Sequence, residues 1–294
     1  MEFIIDSMQE SYFDIVAYVH DHGDHKAPRG LQTHDVPGVQ IILNDPSRAV
    51  PVDTGRALSM QLAAVEALSL IGGFCDPALL VAAAPEMASF MDGGNFHGGY
   101  GVRARGQMIT MIDRLSEDPQ TRQAQVVLWD PMQDALVPDA RDYPCTTSIQ
   151  FLTRFDVGGV YLDCHVHMRS NDVWRGLSLD MFVFTQLQQA VAGFMGWNVG
   201  KYFHHTTSLH MYATDFDKIK QLRPAEKDFS LGPLFAKSWH LDPSRHASWL
   251  RMTKVVRDHI RIADMNDDFV HRYDFDLDVF DWYHERILAV RSKL

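Results

Sequence analysis

Three short blocks of the 294-residue chain carry polar side chains where a plain core would be apolar. They are Tyr143-Pro144-Cys145-Thr146, the run from Met168 to Leu177 (MRSNDVWRGL), and Leu209-His210-Met211-Tyr212. Cys145 is the nucleophile these blocks offer. Its thiolate could add to an electrophilic carbon, and nearby guanidinium groups would raise the thiolate fraction. A lone cysteine is equally at home as a small buried hydrophobe, so residue type alone leaves both readings open. His210 and Tyr212 are two apart on a predicted strand and so share a face, as a half-buried structural strand would also arrange them. Glu66 interrupts an apolar helical stretch, where a carboxylate is costly unless it is paired or functional.

The elements that must hold these groups are mixed. Residues near 8–20 read as an amphipathic helix and Gly38–Asn44 as a short strand. Leu58–Ile71 reads as an Ala-rich helix stopped by Gly72-Gly73. Gly101–Glu117 forms another helix, halted at Asp118-Pro119, and Gln125–Trp129 a strand. Thr147–Phe155 and Val160–Met168 flank Asp156-Val157-Gly158-Gly159 and read as a hairpin. Leu179–Phe194 is an apolar helix, and Thr206–Ala213 a strand leading into an acidic helix near Asp215–Gln221. Late helices fall near Ser244–Ala263 and Val279–Val290. This order fits an α+β fold better than a doubly wound sheet. No repeat or linker divides the chain, so a single domain over 1–294 is expected. No glycine-rich nucleotide-phosphate loop is present.

With 27 Lys plus Arg against 38 Asp plus Glu, the net charge is −11. That argues against non-specific nucleic-acid or anionic-membrane binding, which needs positive charge. A local basic pocket for one phosphate remains compatible with it. No signal peptide or membrane span is read, and three cysteines do not make a disulfide framework, so a cytoplasmic setting is expected. His20, Asp21, His22, Asp24 and His25 crowd one segment, but such polar runs are usually solvated loops and no metal is assigned. His165 and His167, and His204-His205, receive no role.

Taken in order and spacing, the polar blocks resemble the thymidylate synthase family, from about Pro28 to about Leu222. KAPRG around Arg29, Glu66 before Gly72-Gly73, Gly99-Tyr100-Gly101, and Asp118-Pro119-Gln120-Thr121-Arg122 fall in the family's order. The segment from about 224 to 294 matches poorly and reads as an atypical helical C-terminal part. The resemblance implies a central mixed β-sheet packed with helices and a homodimer formed through the sheet. It implies Cys145 as the nucleophile adding to C6 of a pyrimidine. Arg29, Arg122, Arg169 and Ser170 would hold the 5′-phosphate, with Arg122 reaching into the partner's site. Gln123 replaces the family's second arginine, for which Arg141 could compensate. His210 and Tyr212 would bind the sugar hydroxyl. Glu66 would move protons, Tyr100 would stand near the nucleophile, and Asp172, Glu66 and Arg56 would face the cofactor, 5,10-methylenetetrahydrofolate.

Asp180 decides the base. The synthases carry asparagine there, which complements uracil. A carboxylate accepts from the cytosine amino group and, sharing one proton with N3, makes a bidentate contact. The deoxycytidylate hydroxymethylases of this superfamily carry aspartate, and a plain helix N-cap is the alternative. The tryptophan-rich loop is shortened to Ser89–Asn95 and the usual closing tail is absent, which favours water over hydride as the final acceptor. The expected reaction is hydroxymethylation of dCMP. Methylation of dCMP, hydroxymethylation of CMP, thymidylate synthesis on dUMP, glycosidic hydrolysis of CMP and a non-enzymatic nucleotide-binding module are the alternatives.

Overall fold

The structure is a computed structural model that describes residues 1–52, 54–136, 138–223, 229–233, 245–261 and 277–294. Eight strands are described: β1 (Glu2–Ile5), β2 (Asp24–Lys26), β3 (Thr33–Leu43), β4 (Gln125–Val127), β5 (Thr146–Asp156), β6 (Gly159–Met168), β7 (Asn171–Asp172) and β8 (Asn198–Tyr212). The helices are α1 (Met8–His22), α2 (Met60–Gly72), α3 (Pro77–Ala83), α4 (Tyr100–Glu117), α5 (Leu177–Met195), α6 (Arg245–Arg261) and α7 (Leu277–Arg291). The strands form one mixed sheet in the order β1-β3-β8-β6-β5-β4, with β2 beside β3 and β7 beside β8. The expected α+β class, a mixed sheet packed with helices, is what the chain adopts.

Alternation decides which sheet face is core. On β6, Leu162, Cys164, Val166 and Met168 are buried, while Tyr161, His165 and His167 lie on the other face. On β8, Tyr202, His204 and Thr206 point inward and Phe203 and His205 outward. Helix α5 packs between the inner sheet face and α2 and is buried nearly all round, as its apolar sequence requires. Ser59 caps α2 by accepting from the Leu62 N–H at 3.2 Å, and Gly73 ends it at φ +67°. Helix α6 packs on α2 and α4, and α7 on α2 and α3, so Trp249, Val256 and Tyr283 join the same apolar core. Within the expected C-terminal segment, residues 224–228, 234–244 and 262–276 lie outside the described residues.

Helices α1, α2, α4, α5, α6 and α7 and the β5–β6 hairpin fall close to where the sequence places them, whereas α3, β1 and β2 were not expected. Two strands are longer than expected. β3 begins at Thr33, because Gly38 at φ +64° interrupts the pairing with β8 without shifting its register. β8 begins at Asn198, its first half disguised by Lys201, His204 and His205. The expected acidic helix is a 3₁₀ helix, Ala213–Gln221.

Candidate active site

Cys145 stands immediately before β5, where the ladder to β6 shifts register. Arg169 follows β6, and its backbone N–H donates to the Cys145 carbonyl at 2.9 Å. Its guanidinium donates from Nε to the Pro144 carbonyl (2.9 Å) and from Nη2 to the Tyr143 carbonyl (3.2 Å). Nη2 also lies 3.8 Å from Cys145 Sγ, and the group stacks 5.5 Å over the Trp129 ring. One side chain thus braces the whole Tyr143–Cys145 turn. The guanidinium groups act on the thiol in the expected direction but do not decide the balance. Burial pushes the Cys145 thiol up; Arg169 and Arg29 pull it down, but Asp180 and Asp142 push it up again, and the net shift is upward.

A cavity opens in front of the sulfur, lined by Glu66, Cys75, Tyr100, Asp142, Cys145 and Asp180 among others. Desolvation, with Asp180 and Asp142 nearby, pushes Glu66 up to about 8. Desolvation, with a smaller push from Asp172, takes Asp180 to about 7 against the opposing pull of Asn171. Burial raises the Cys75 thiol to about 11. The site therefore holds carboxyl groups able to carry protons near neutrality, which suits general acid–base work. The Tyr100 hydroxyl accepts from the Thr146 N–H at 3.2 Å, next to Cys145 in the chain. Asp180 is not an N-cap. Gly176 occupies that place, and Asp180 sits one turn inside α5, its N–H on the Gly176 carbonyl at 2.9 Å. Its Oδ2 accepts from Asn171 Nδ2 at 2.6 Å.

Ser170 Oγ lies 3.5 Å from His210 Nδ1, and the His210 and Tyr212 rings meet edge to face at 5.2 Å. The strand spacing thus brings the two residues together as expected. Arg29 is exposed and held at φ +54°, a backbone conformation rare outside glycine. Its charge reaches Cys145. Arg122 is not brought to the cavity within one chain. The Gln125–Gln150 register carries it toward the end of β5 remote from Cys145, and its carbonyl accepts from Gln150 Nε2. Arg141 is engaged elsewhere, with Nε 3.6 Å from Asp92.

Asp172 Oδ1 accepts from the Trp174 and Arg175 N–H groups at 2.8 and 2.9 Å, while buried Oδ2 has no hydrogen bond and lies 3.8 Å from Arg175 Nε. Arg56 donates from Nε to the Trp174 carbonyl at 2.9 Å and stacks 5.2 Å over the Trp174 ring. A carboxylate oxygen with no hydrogen bond, near an aromatic ring and guanidinium groups, suits a flat heterocycle rich in N–H donors, so these residues fit the pterin of a folate.

Several residues that line or brace the cavity escaped the sequence reading. Asp142 lines the cavity and accepts from the Gly98 N–H at 3.0 Å. It lies just outside the Cys145 block, and that proximity was the available signal. Arg103 donates to both oxygens of Asp134 (2.6 and 2.8 Å) and to the His97 carbonyl (2.9 Å), fixing the turn before Tyr100. Cys75, with no sequence context of its own, shares the cavity with Cys145. In the N-terminal histidine segment, His20 pairs with Asp21 at 2.6 Å and His25 packs on His34. Among the described residues no group of three or more His, Cys, Asp or Glu converges on a metal position. No described helix is long and apolar enough to cross a membrane.

Residues 10–234 match the model of the family described as thymidylate synthase. A deoxyuridylate hydroxymethyltransferase of Bacillus phage SP01 is 27% identical over 292 residues, covering 90% of this chain and 75% of that protein. A thymidylate synthase of Streptococcus mutans is 31% identical over 121 residues, 41% of this chain and 43% of its own length. A Streptococcus pyogenes thymidylate synthase is 30% identical over 112 residues, 38% of this chain and 39% of its own. The chain thus spans three quarters of the phage relative and less than half of the synthases it matches.

Proposed function

The chain belongs to the thymidylate synthase family, transferases that place a one-carbon unit from 5,10-methylenetetrahydrofolate on a pyrimidine nucleotide, and we propose that its own reaction is the 5-hydroxymethylation of dCMP. The observation that carries this reading is Asp180, a carboxyl group at the cavity wall with one oxygen already accepting from Asn171. Facing cytosine, its neutral form donates to N3 and accepts from the N4 amino group. Facing uracil, an ionised Asp180 would oppose O4, and such a mismatch of buried polar groups discriminates strongly.

This reading gives each residue of the site a role. Cys145, as the thiolate, adds to C6, and Arg169 supports that charge while bracing the turn. Glu66 holds a proton near neutrality and exchanges it with the ring, with the Tyr100 hydroxyl held on the Thr146 N–H next to Cys145. Arg29 and Ser170 grip the phosphate, and His210 and Tyr212 the sugar. Asp172 and Arg56 orient the folate, which supplies the one-carbon unit when bound. Water completes the product where the shortened Ser89–Asn95 loop leaves the site less sealed. Arg122, remote from its own cavity, supplies the partner's phosphate site in a homodimer formed through the outer sheet face. The chain acts as one domain, with α6 and α7 as its C-terminal part.

Similarity to a phage hydroxymethyltransferase across 90% of the chain supports the hydroxymethyl outcome. That relative's name specifies deoxyuridylate, and this is the second reading: the same chemistry on dUMP. Incubation with dCMP, CMP and dUMP, each with methylenetetrahydrofolate, followed by mass analysis separates them. The expected product is 5-hydroxymethyl-dCMP with tetrahydrofolate. Dihydrofolate formed in step with product would identify a methylase, and cytosine released without folate a hydrolase.

A further inference from the structure

Behind Asp180 runs a chain of buried polar groups that nothing in the proposed mechanism uses. The Tyr202 hydroxyl lies 3.0 Å from His204 Nδ1, and His204 Nε2 lies 3.1 Å from Asn171 Oδ1. Asn171 Nδ2 donates to Asp180 Oδ2 at 2.6 Å. Tyr202 and His204 are two apart on β8 and share its inner face, and β7 sets Asn171 alongside that strand. Tyr202 and His204 are 0% exposed and Asn171 3%. We propose that Tyr202, His204 and Asn171 are positioning residues that select cytosine by fixing which oxygen of Asp180 carries the proton presented to the base. This proposal rests on the dCMP reading.

With the Asn171 NH₂ on Asp180 and its Oδ1 on His204, the direction of every other bond in the chain follows. Burial drives His204 down to about 3, so its ring is neutral and has one N–H. Asn171 Oδ1 can only accept, so that N–H is at Nε2. Nδ1 is then an acceptor, and the Tyr202 hydroxyl must donate to it. Asn171 accordingly turns its NH₂ to Asp180, whose Oδ2 is an acceptor. A proton on Asp180 therefore resides on Oδ1, the oxygen that has no hydrogen bond among the described residues. Oδ1–H then donates to cytosine N3, and the second lone pair of Oδ2 accepts from the N4 amino group.

Reversing the chain reverses the reading. With the His204 proton on Nδ1, the Asn171 amide flips and Asp180 must donate from Oδ2. Oδ1 then becomes an acceptor, the polarity that the N3–H of uracil requires. Direction along the chain is thus polarity at the base, and reversal needs three buried groups to change together.

The test compares kcat/KM for dCMP and dUMP, with melting temperature, in four variants. His204→Phe removes both ring nitrogens and is expected to lower the dCMP/dUMP ratio about ten-fold. Tyr202→Phe removes only one hydroxyl from an otherwise unchanged ring and is expected to lower it about three-fold. His204→Gln keeps an acceptor and a donor in sequence and is expected to restore the ratio to within about three-fold of wild type. Asp180→Asn is the control for the reading itself. If it collapses the ratio while the His204 and Tyr202 variants leave it unchanged, or lose both substrates equally, the relay is overturned and the dCMP reading stands. A wild-type enzyme without preference for dCMP overturns both.

Discussion

Arg169 Nη2 lies 3.8 Å from Cys145 Sγ while Nε of the same guanidinium is anchored on the Pro144 carbonyl at 2.9 Å. The Cys145 sulfur and the positive charge beside it are therefore fixed to one turn. Cys145 needs this support because burial and the acidic cavity wall both oppose its thiolate. Arg169→Lys keeps the charge but loses the fork that reaches two carbonyls and the sulfur. Its expected effect is a fall in kcat/KM of about a hundred-fold, in the range of losing a charge-assisted contact. The pH dependence of Cys145 alkylation by iodoacetamide, followed by peptide mass analysis, should move to higher pH.

Glu66 ties stability to pH. An unfolded glutamate loses its proton near 4.5, whereas Glu66 in the fold keeps it to about 8. Between those values the folded state binds a proton that the unfolded state has lost, so stability falls as pH rises through the window and levels off above it. Glu66→Gln removes this penalty. The variant should melt with the wild type at pH 4 and at least ~3 °C above it at pH 8.5. It should also lose most activity, since the proton carrier is gone. A melting difference independent of pH would contradict the assignment.

The turn that carries Tyr100 depends on a buried ion pair. Asp134 has a 0% exposed side chain and Arg103 an 8% exposed one, joined by two hydrogen bonds. Removing one partner leaves the other charge uncompensated, at a cost of about 3–5 kcal/mol. Asp134→Ala should lower unfolding free energy by that amount in urea titration, and reduce activity even at temperatures where the variant is folded.

Gly101 opens α4 against the end of α2. A Cβ there would stand 2.2 Å from the Phe74 carbonyl oxygen and 2.3 Å from that of Ser69. Both are backbone atoms, so the helix start must move and Tyr100 with it. Gly101→Ala is expected to cost about 1–3 kcal/mol, as overpacking does, and to lower kcat more than it raises KM. Thermal melting and steady-state kinetics measure the two effects.

Much of this site was legible in the sequence because its parts are local. Pro144-Cys145 with its following strand, the hairpin closed by Gly158-Gly159, and His210 and Tyr212 on alternate positions are short-range patterns that survive folding unchanged. Two kinds of information were not legible. One is the balance of electrostatics at Cys145, where burial and carboxylates from α5 and the Asp142 turn outweigh the arginines. The other is pairing across the sheet, which brings His204 to Asn171 and carries Arg122 away from its own cavity. Lys201, His204 and His205 also broke the apolar pattern of β8, because the inward-facing His204 is polar for a reason that only the partner element reveals.

The most direct measurement is the ratio of kcat/KM for dCMP and dUMP in the wild type and in Asp180→Asn, with methylenetetrahydrofolate and product identification by mass. The wild type should prefer dCMP and yield the 5-hydroxymethyl product. Asparagine should move the preference toward dUMP by about a hundred-fold or more, the scale on which unpaired buried polar groups discriminate. A wild-type preference for dUMP, or a ratio that Asp180→Asn leaves unchanged, would contradict the assignment of Asp180 as the reader of cytosine.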